Sequence, residues 1–248
     1  DIRLYGLSFS TTLPTGTAWS GEVSYRPNAP VQLNTTDILF SGLTPLNPNV
    51  SALQGQPGQD QQGYRRKEVT QLQTTFTHFF DQVMGAARLT LVGEVGYTHV
   101  GGLESNSEAR YGRDPSYGPG PLPGGQCQVL NTGTLAGGPQ NNVSRYCEND
   151  GFTTANSWGY RGRAIWEYND AIAGVNLKPN VAWSHDVEGY SPGPGGNFEE
   201  GRKAVSLGVD AEYQNTYTAS LAYTNFFDGK YTTTDDRDFV ALSFGVNF

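Results

Sequence analysis

Segment after segment of this chain alternates apolar side chains with polar or small ones, the period of a β-strand whose two faces differ. Nine segments carry the pattern. The apolar face reads Tyr5, Leu7 and Phe9; Trp19, Gly21, Val23 and Tyr25; Leu72, Thr74, Phe76 and Phe80; Leu89, Leu91, Val95 and Tyr97; and Trp158, Tyr160, Ala164, Trp166 and Tyr168. It continues with Val175, Leu177, Val181 and Trp183; Val205, Leu207, Val209, Ala211 and Tyr213; and Tyr217, Ala219, Leu221 and Tyr223. The ninth segment closes the chain with Val240, Leu242, Phe244, Val246 and Phe248, alternating with Phe239, Ala241, Ser243, Gly245 and Asn247. Each runs about 10–14 residues, enough for a tilted strand to cross a bilayer.

The connections alternate as well. Counted back from the end they span 228–237, moderate; 214–216, tight; 188–201, long; 169–170, tight; 101–154, very long; 81–85, short; 27–63, long; and 14–16, tight. A secreted β-sandwich also alternates along its strands but has no reason to alternate its connections. Bacterial outer-membrane barrels do, with short periplasmic turns and long extracellular loops. The expected fold is therefore all-β, an antiparallel transmembrane β-barrel.

The terminal strand, with Leu242, Phe244, Val246 and Phe248, is then the membrane-insertion signal, and its end lies on the periplasmic side. The first strand begins on the outer side. Single-chain bacterial barrels have an even strand number with both ends in the periplasm. Residues 1–248 are thus expected to be the C-terminal portion of one larger barrel domain, its remaining strands upstream of Asp1. Aromatic residues flank the strands as girdles would, with Tyr25, Tyr97, Trp158 and Trp183 near the outer ends and Phe80, Tyr168, Tyr213, Tyr217 and Phe248 near the inner ones.

Composition narrows the classes. No apolar run approaches the roughly 18 residues of a spanning helix, which excludes a helical membrane protein. Negative mean hydropathy does not exclude a barrel, because alternation hides the apolar half. The net charge is −8, and Arg65, Arg66 and Lys67 are the only basic cluster, so nucleic acid has no electrostatic footprint here.

Little in the chain suggests covalent chemistry. Cys127 and Cys147 lie in the longest connection without Cys-x-x-Cys spacing or a nearby histidine, which favours a disulfide over a metal pair. His78, His99 and His185 are isolated from one another, and Ser184, His185 and Asp186 are adjacent, so they point to alternate faces and cannot form a triad alone. No catalytic residue, metal ligand or cofactor is expected. Asp235, Asp236, Asp238, Glu199 and Glu200 offer a weak case for Ca²⁺ and a better one for solvated loop charge.

The polar face is the expected working surface. Its charged positions include Arg88, Glu94, Arg161, Arg163, Glu167, Lys178, Asp210 and Glu212. Arg161, Arg163 and Lys178 either set a local field for anionic solutes or pair with Glu167, Asp186 and Asp210 across the lumen.

Three stretches resemble a known family: Asp1-Ile2-Arg3-Leu4-Tyr5-Gly6-Leu7-Ser8-Phe9-Ser10; Trp19-Ser20-Gly21-Glu22-Val23-Ser24-Tyr25-Arg26-Pro27-Asn28-Ala29-Pro30-Val31-Gln32; and the last eleven residues from Asp238. They are similar to the C-terminal half of proteobacterial proteins of the domain-of-unknown-function family 1302, with Ser24-Tyr25-Arg26-Pro27-Asn28 the most specific element. The resemblance implies an outer-membrane barrel partnered by a periplasmic carrier and an inner-membrane permease, moving hydrophobic molecules such as lipids or sterols. It implies no catalytic residues.

The expected function is an outer-membrane channel or transporter for a hydrophobic or lipid-like solute. Its other expected partners are outer-membrane lipid, lipopolysaccharide and the barrel assembly machinery. The alternative is a structural or adhesion barrel whose long loops bind partners.

Overall fold

In the computed structural model, residues 1–132, 145–193 and 196–247 are described. Nine strands follow one another in a single antiparallel sheet ordered β1 to β9. They are β1 (Tyr5–Thr12), β2 (Ala18–Gln32), β3 (Tyr64–Asp81), β4 (Arg88–Gly101), β5 (Asn156–Ile172), β6 (Val175–Glu188), β7 (Lys203–Tyr213), β8 (Tyr217–Phe227) and β9 (Phe239–Val246). Short helices α1 (Thr35–Ser41) and α2 (Gln126–Leu130) lie in the two longest connections. Among the described residues, no helix is long and apolar enough to cross a membrane. Phe248 lies outside the described residues, so the insertion-signal reading rests on Leu242, Phe244 and Val246.

The register keeps the apolar face continuous. Leu7 pairs with Val23, Val23 with Leu72, Leu72 with Tyr97 and Tyr97 with Trp158. Toward the other edge of the sheet, on the same face, Val209 pairs with Leu221 and Leu221 with Leu242. A slip of one residue at any pair would turn that strand's apolar set to the other face; the β2–β3 ladder shifts outside these rows, between Arg26 and Ala29, and the β5–β6 ladder shifts just after Trp158. This face is bare: Leu7 is 73% exposed, Leu207 55%, Leu242 62% and Phe244 78%. The sheet is open, with β1 and β9 at its edges.

Two boundaries differ from the sequence reading. The tight turn expected at 169–170 sits instead at Ala173 and Gly174, both at positive φ (50° and 82°), the backbone a two-residue hairpin requires. Asp170 serves a bulge just before it: its carboxylate accepts from the Gly174 N–H at 2.7 Å, and its own N–H donates to Asn176 Oδ1 at 3.0 Å. Likewise β2 does not stop at Pro27. The ladder with β3 skips between Arg26 and Ala29 and resumes through Gln32, since a bulge tolerates the proline that lacks an N–H.

The packed core lies where the ends of β2, β3 and β4 meet the cap built by the long connections. Val31, Leu33, Leu53, Val69, Val100 and Tyr111 form one buried cluster; Phe40, Val50, Leu130 and Tyr146 form another around Cys127. Cys127 and Cys147 are joined as a disulfide. Asp37 in α1 and Arg110 in the β4–β5 connection make a fully buried ion pair.

Candidate functional site

The polar face of β2 to β5 is built from alternate residues whose neighbours face the other way. Glu22 sits opposite Gln73, Thr75 opposite Glu94, and Glu94 opposite Arg161. Gln73 Nε2 donates to Glu94 Oε2 at 2.7 Å, and Thr75 Oγ1 donates to the same oxygen at 3.3 Å. Glu22, Gln73, Glu94 and Arg161, with Ser24, Gln71 and Thr98, line a cavity of about 310 Å³. Its arginine does not stand alone: Arg161 Nη2 lies 3.2 Å from Oδ1 of the buried Asp186.

Asp186 also fixes the β6–β7 connection. Arg202 reaches its Oδ2 at 2.6 Å, and the Glu199 N–H donates to the same oxygen at 3.1 Å. This clamp holds the connection against the polar face and carries Phe198 down to the cavity, its ring 5.8 Å from the Arg161 guanidinium.

The expected face residues fall into three groups. Glu94, Arg161 and Arg163 are neighbours, and Arg163 Nη2 donates to Asn180 Oδ1 at 3.3 Å. Asn180 in turn donates to Asp210 at 3.2 Å. Lys178, Asp210 and Glu212 line a separate hollow of about 250 Å³ nearer the β7–β8 turn. Arg88 and Glu167 are cross-strand partners at the β3–β4 turn end, where the Arg88 guanidinium lies 5.4 Å from the Phe79 ring centroid. Of the expected pairings Arg161 makes one, with Asp186, whereas Arg163 reaches Asp210 only through the neutral amide of Asn180.

The remaining candidates are dispersed. His78 bonds Thr17, His99 bonds Asn156, and His185 packs its ring on Tyr160. Of the loop acids, Glu199 pairs with Arg202, Glu200 accepts from the Gly189 N–H, and Asp238 receives Tyr223, Asn225 and the Phe226 N–H.

In the cap, Glu104 accepts from Lys67 at 2.7 Å, Arg65 at 2.9 Å and Tyr111 at 2.5 Å. Burial alone would raise its pKa, but these hydrogen bonds outweigh burial and hold it down at about 2. Arg113 lies between the rings of Phe152 (4.6 Å) and Tyr231 (4.9 Å) and donates to the carbonyls of Glu148 and Asp150. It thereby ties the β4–β5 connection to the β8–β9 connection.

Residues 1–248 match the model of a family described as protein of unknown function (DUF1302). The chain belongs to this family. No curated protein and no solved structure matches this DUF1302 chain. Phe198 is not among the expected site residues of the DUF1302 chain. Its signal is indirect: Gly96 and Gly159 interrupt the polar face at adjacent positions, and glycine inside a strand marks close approach of another group.

Proposed function

We propose that this DUF1302 chain forms the wall of an outer-membrane β-barrel that passes solutes through a hydrophilic lumen, without covalent chemistry. The observation that carries the reading is the apolar face held in register from β1 to β9 and left bare, with charged and hydrogen-bonding groups on the opposite face. So large a bare apolar surface on a soluble domain would invite aggregation, whereas lipid is its natural solvent. In lipid the edges of β1 and β9 must also be paired, because unpaired backbone groups have no water there. Closure into a barrel meets that need, with the short turns on the periplasmic side and the cap outside.

The cargo reading follows the inner face. Glu22, Gln71, Gln73, Glu94 and Arg161 favour water and polar solutes. The hydrophobic cargo implied by the family resemblance is supported by one feature, a hollow of about 330 Å³ where Val92, Ala182 and Ala204 lie beside Arg161 and Arg163. That chemistry suits an amphipathic anion.

Full-length protein reconstituted into liposomes tests the proposal. Swelling in small saccharides is expected, and uptake of a fatty carboxylate without swelling would favour the second cargo. A folded protein that moves neither overturns the transport reading.

A further inference from the structure

Phe198 occupies a position that covering the outer mouth does not require. It belongs to the β6–β7 connection, yet its side chain is only 5% exposed and is sunk onto the polar face of the sheet. Beneath it lie Gly96 and Gly159, cross-strand partners in β4 and β5. A Cβ on Gly96 would stand 2.9 Å from the ring's Cζ, while one on Gly159 would meet the His185 carbonyl oxygen of β6 first, at 2.6 Å, and the ring's Cδ1 at 3.0 Å. All three nearest atoms at Gly96 belong to this ring, so the absent side chain there makes room for Phe198 and for nothing else. The two glycines form a notch, flanked by Glu94 and Arg161 on one side and Thr98 and Ser157 on the other.

The ring is held from both chain directions. Before it, the Ser191 N–H donates to the Phe198 carbonyl at 2.9 Å, the Phe198 N–H donates to Ser191 Oγ at 3.2 Å, and Ser191 Oγ meets Ser157 Oγ on β5 at 2.9 Å. After it, Glu199 and Arg202 are fixed on Asp186. Phe198 also lines two cavities at once. One is the chamber of about 310 Å³ on the sheet, with Gln73, Glu94 and Arg161. The other, of about 230 Å³, lies among the long connections, with Gln32, Arg113, Tyr190 and Tyr231.

We propose that Phe198, seated on the Gly96–Gly159 notch, is the specificity-determining constriction between an outer vestibule and the lumen chamber, selecting hydrophilic solutes by size. The proposal rests on the channel reading above. At the level of the ring the barrier is an uncharged aromatic plate, so selection there is steric. The Arg161 guanidinium, 5.8 Å from the ring, and Glu94 opposite it supply the charge on the chamber side.

The test uses full-length protein in intact cells carrying Gln73→Cys as a reporter in the chamber, labelled from outside with maleimides on saccharides of increasing size. Phe198→Ala is expected to raise the labelling rate roughly tenfold and to admit larger reagents, with Phe198→Leu intermediate and Phe198→Trp slower than wild type. Leu207→Cys on the apolar face serves as the control and is expected to stay unlabelled in every background. Labelling of Leu207→Cys would overturn the barrel reading itself. With that position shielded, an unchanged rate and size limit at the chamber reporter in the wild-type, Phe198→Ala and Phe198→Leu backgrounds would overturn the constriction alone. Should Phe198→Ala fail to reach the membrane, the leucine and tryptophan variants decide between the two outcomes.

Discussion

Arg110 and Asp37 meet through two hydrogen bonds, Nη2 to Oδ1 at 2.6 Å and Nε to Oδ2 at 2.8 Å, with both side chains shut away from solvent. They join the β4–β5 connection to the β2–β3 connection across 73 residues of sequence. A pair so buried adds little net stability over apolar groups of the same volume, but breaking it strands a charge. Asp37→Ala is therefore expected to destabilise the cap by about 3–5 kcal/mol, and the double change Asp37→Leu with Arg110→Met by much less. Limited proteolysis of the long connections reads the difference. Equal sensitivity of single and double variants would contradict it.

Glu104 makes the cap acid-sensitive. Its carboxyl sits at about 2 in the folded chain against an ordinary value of 4.5. A depressed folded value contributes stability that is complete above 4.5 and is lost as pH falls toward 2. At 1.36 kcal/mol per tenfold change in proton affinity, the contribution is on the order of 3 kcal/mol, less because the side chain is partly exposed. Wild-type cap opening, followed by hydrogen exchange, is expected to steepen below about pH 4.5, and Glu104→Gln to be weaker at neutral pH with a flatter acid limb. Parallel acid limbs would show that other carboxylates dominate.

The disulfide between Cys127 and Cys147 closes a separation of 20 residues. In the chain-entropy account such a link is worth about 3 kcal/mol to the segment it closes. Replacing both cysteines by serine should therefore leave the strands intact and loosen the β4–β5 connection first. Protease cleavage should appear between them at concentrations that spare the wild type, and cleavage starting in another connection would argue against a local role.

How far the sequence foretells this arrangement depends on the range of the forces involved. The strands are legible because alternation is a local rule: the connection expected at 214–216 falls between β7 and β8 as the pattern requires. The turn at Ala173 escapes the pattern because Asn169 and Asp170 carry turn chemistry that the chain spends on a bulge. The common face of Glu94 and Arg161 is readable from parity, whereas the clamp of Asp186 on Arg202 and the descent of Phe198 onto Gly96 arise from contacts between distant segments. No period along the chain encodes those. The pairing of Asp37 with Arg110 is equally invisible, since nothing in either neighbourhood names its partner.

Leu221 and Ser220 separate the membrane reading from a soluble one. They are adjacent in β8 and face opposite ways: Leu221 pairs with Val209 and Leu242 on the apolar face, and Ser220 pairs with Asp210 and Ser243 on the polar one. Leu221 is 48% exposed. If water bathed that face, Leu221→Arg would fall within about 0.5 kcal/mol of wild type, as surface changes do. If lipid covers it at mid-strand, the same change costs about 2–4 kcal/mol, while Ser220→Arg, beside Asp210, is tolerated. Denaturant unfolding in lipid vesicles measures both. A large loss for Leu221→Arg with little for Ser220→Arg is the expected result. Equal small effects would place both faces in water and remove the physical basis for the barrel.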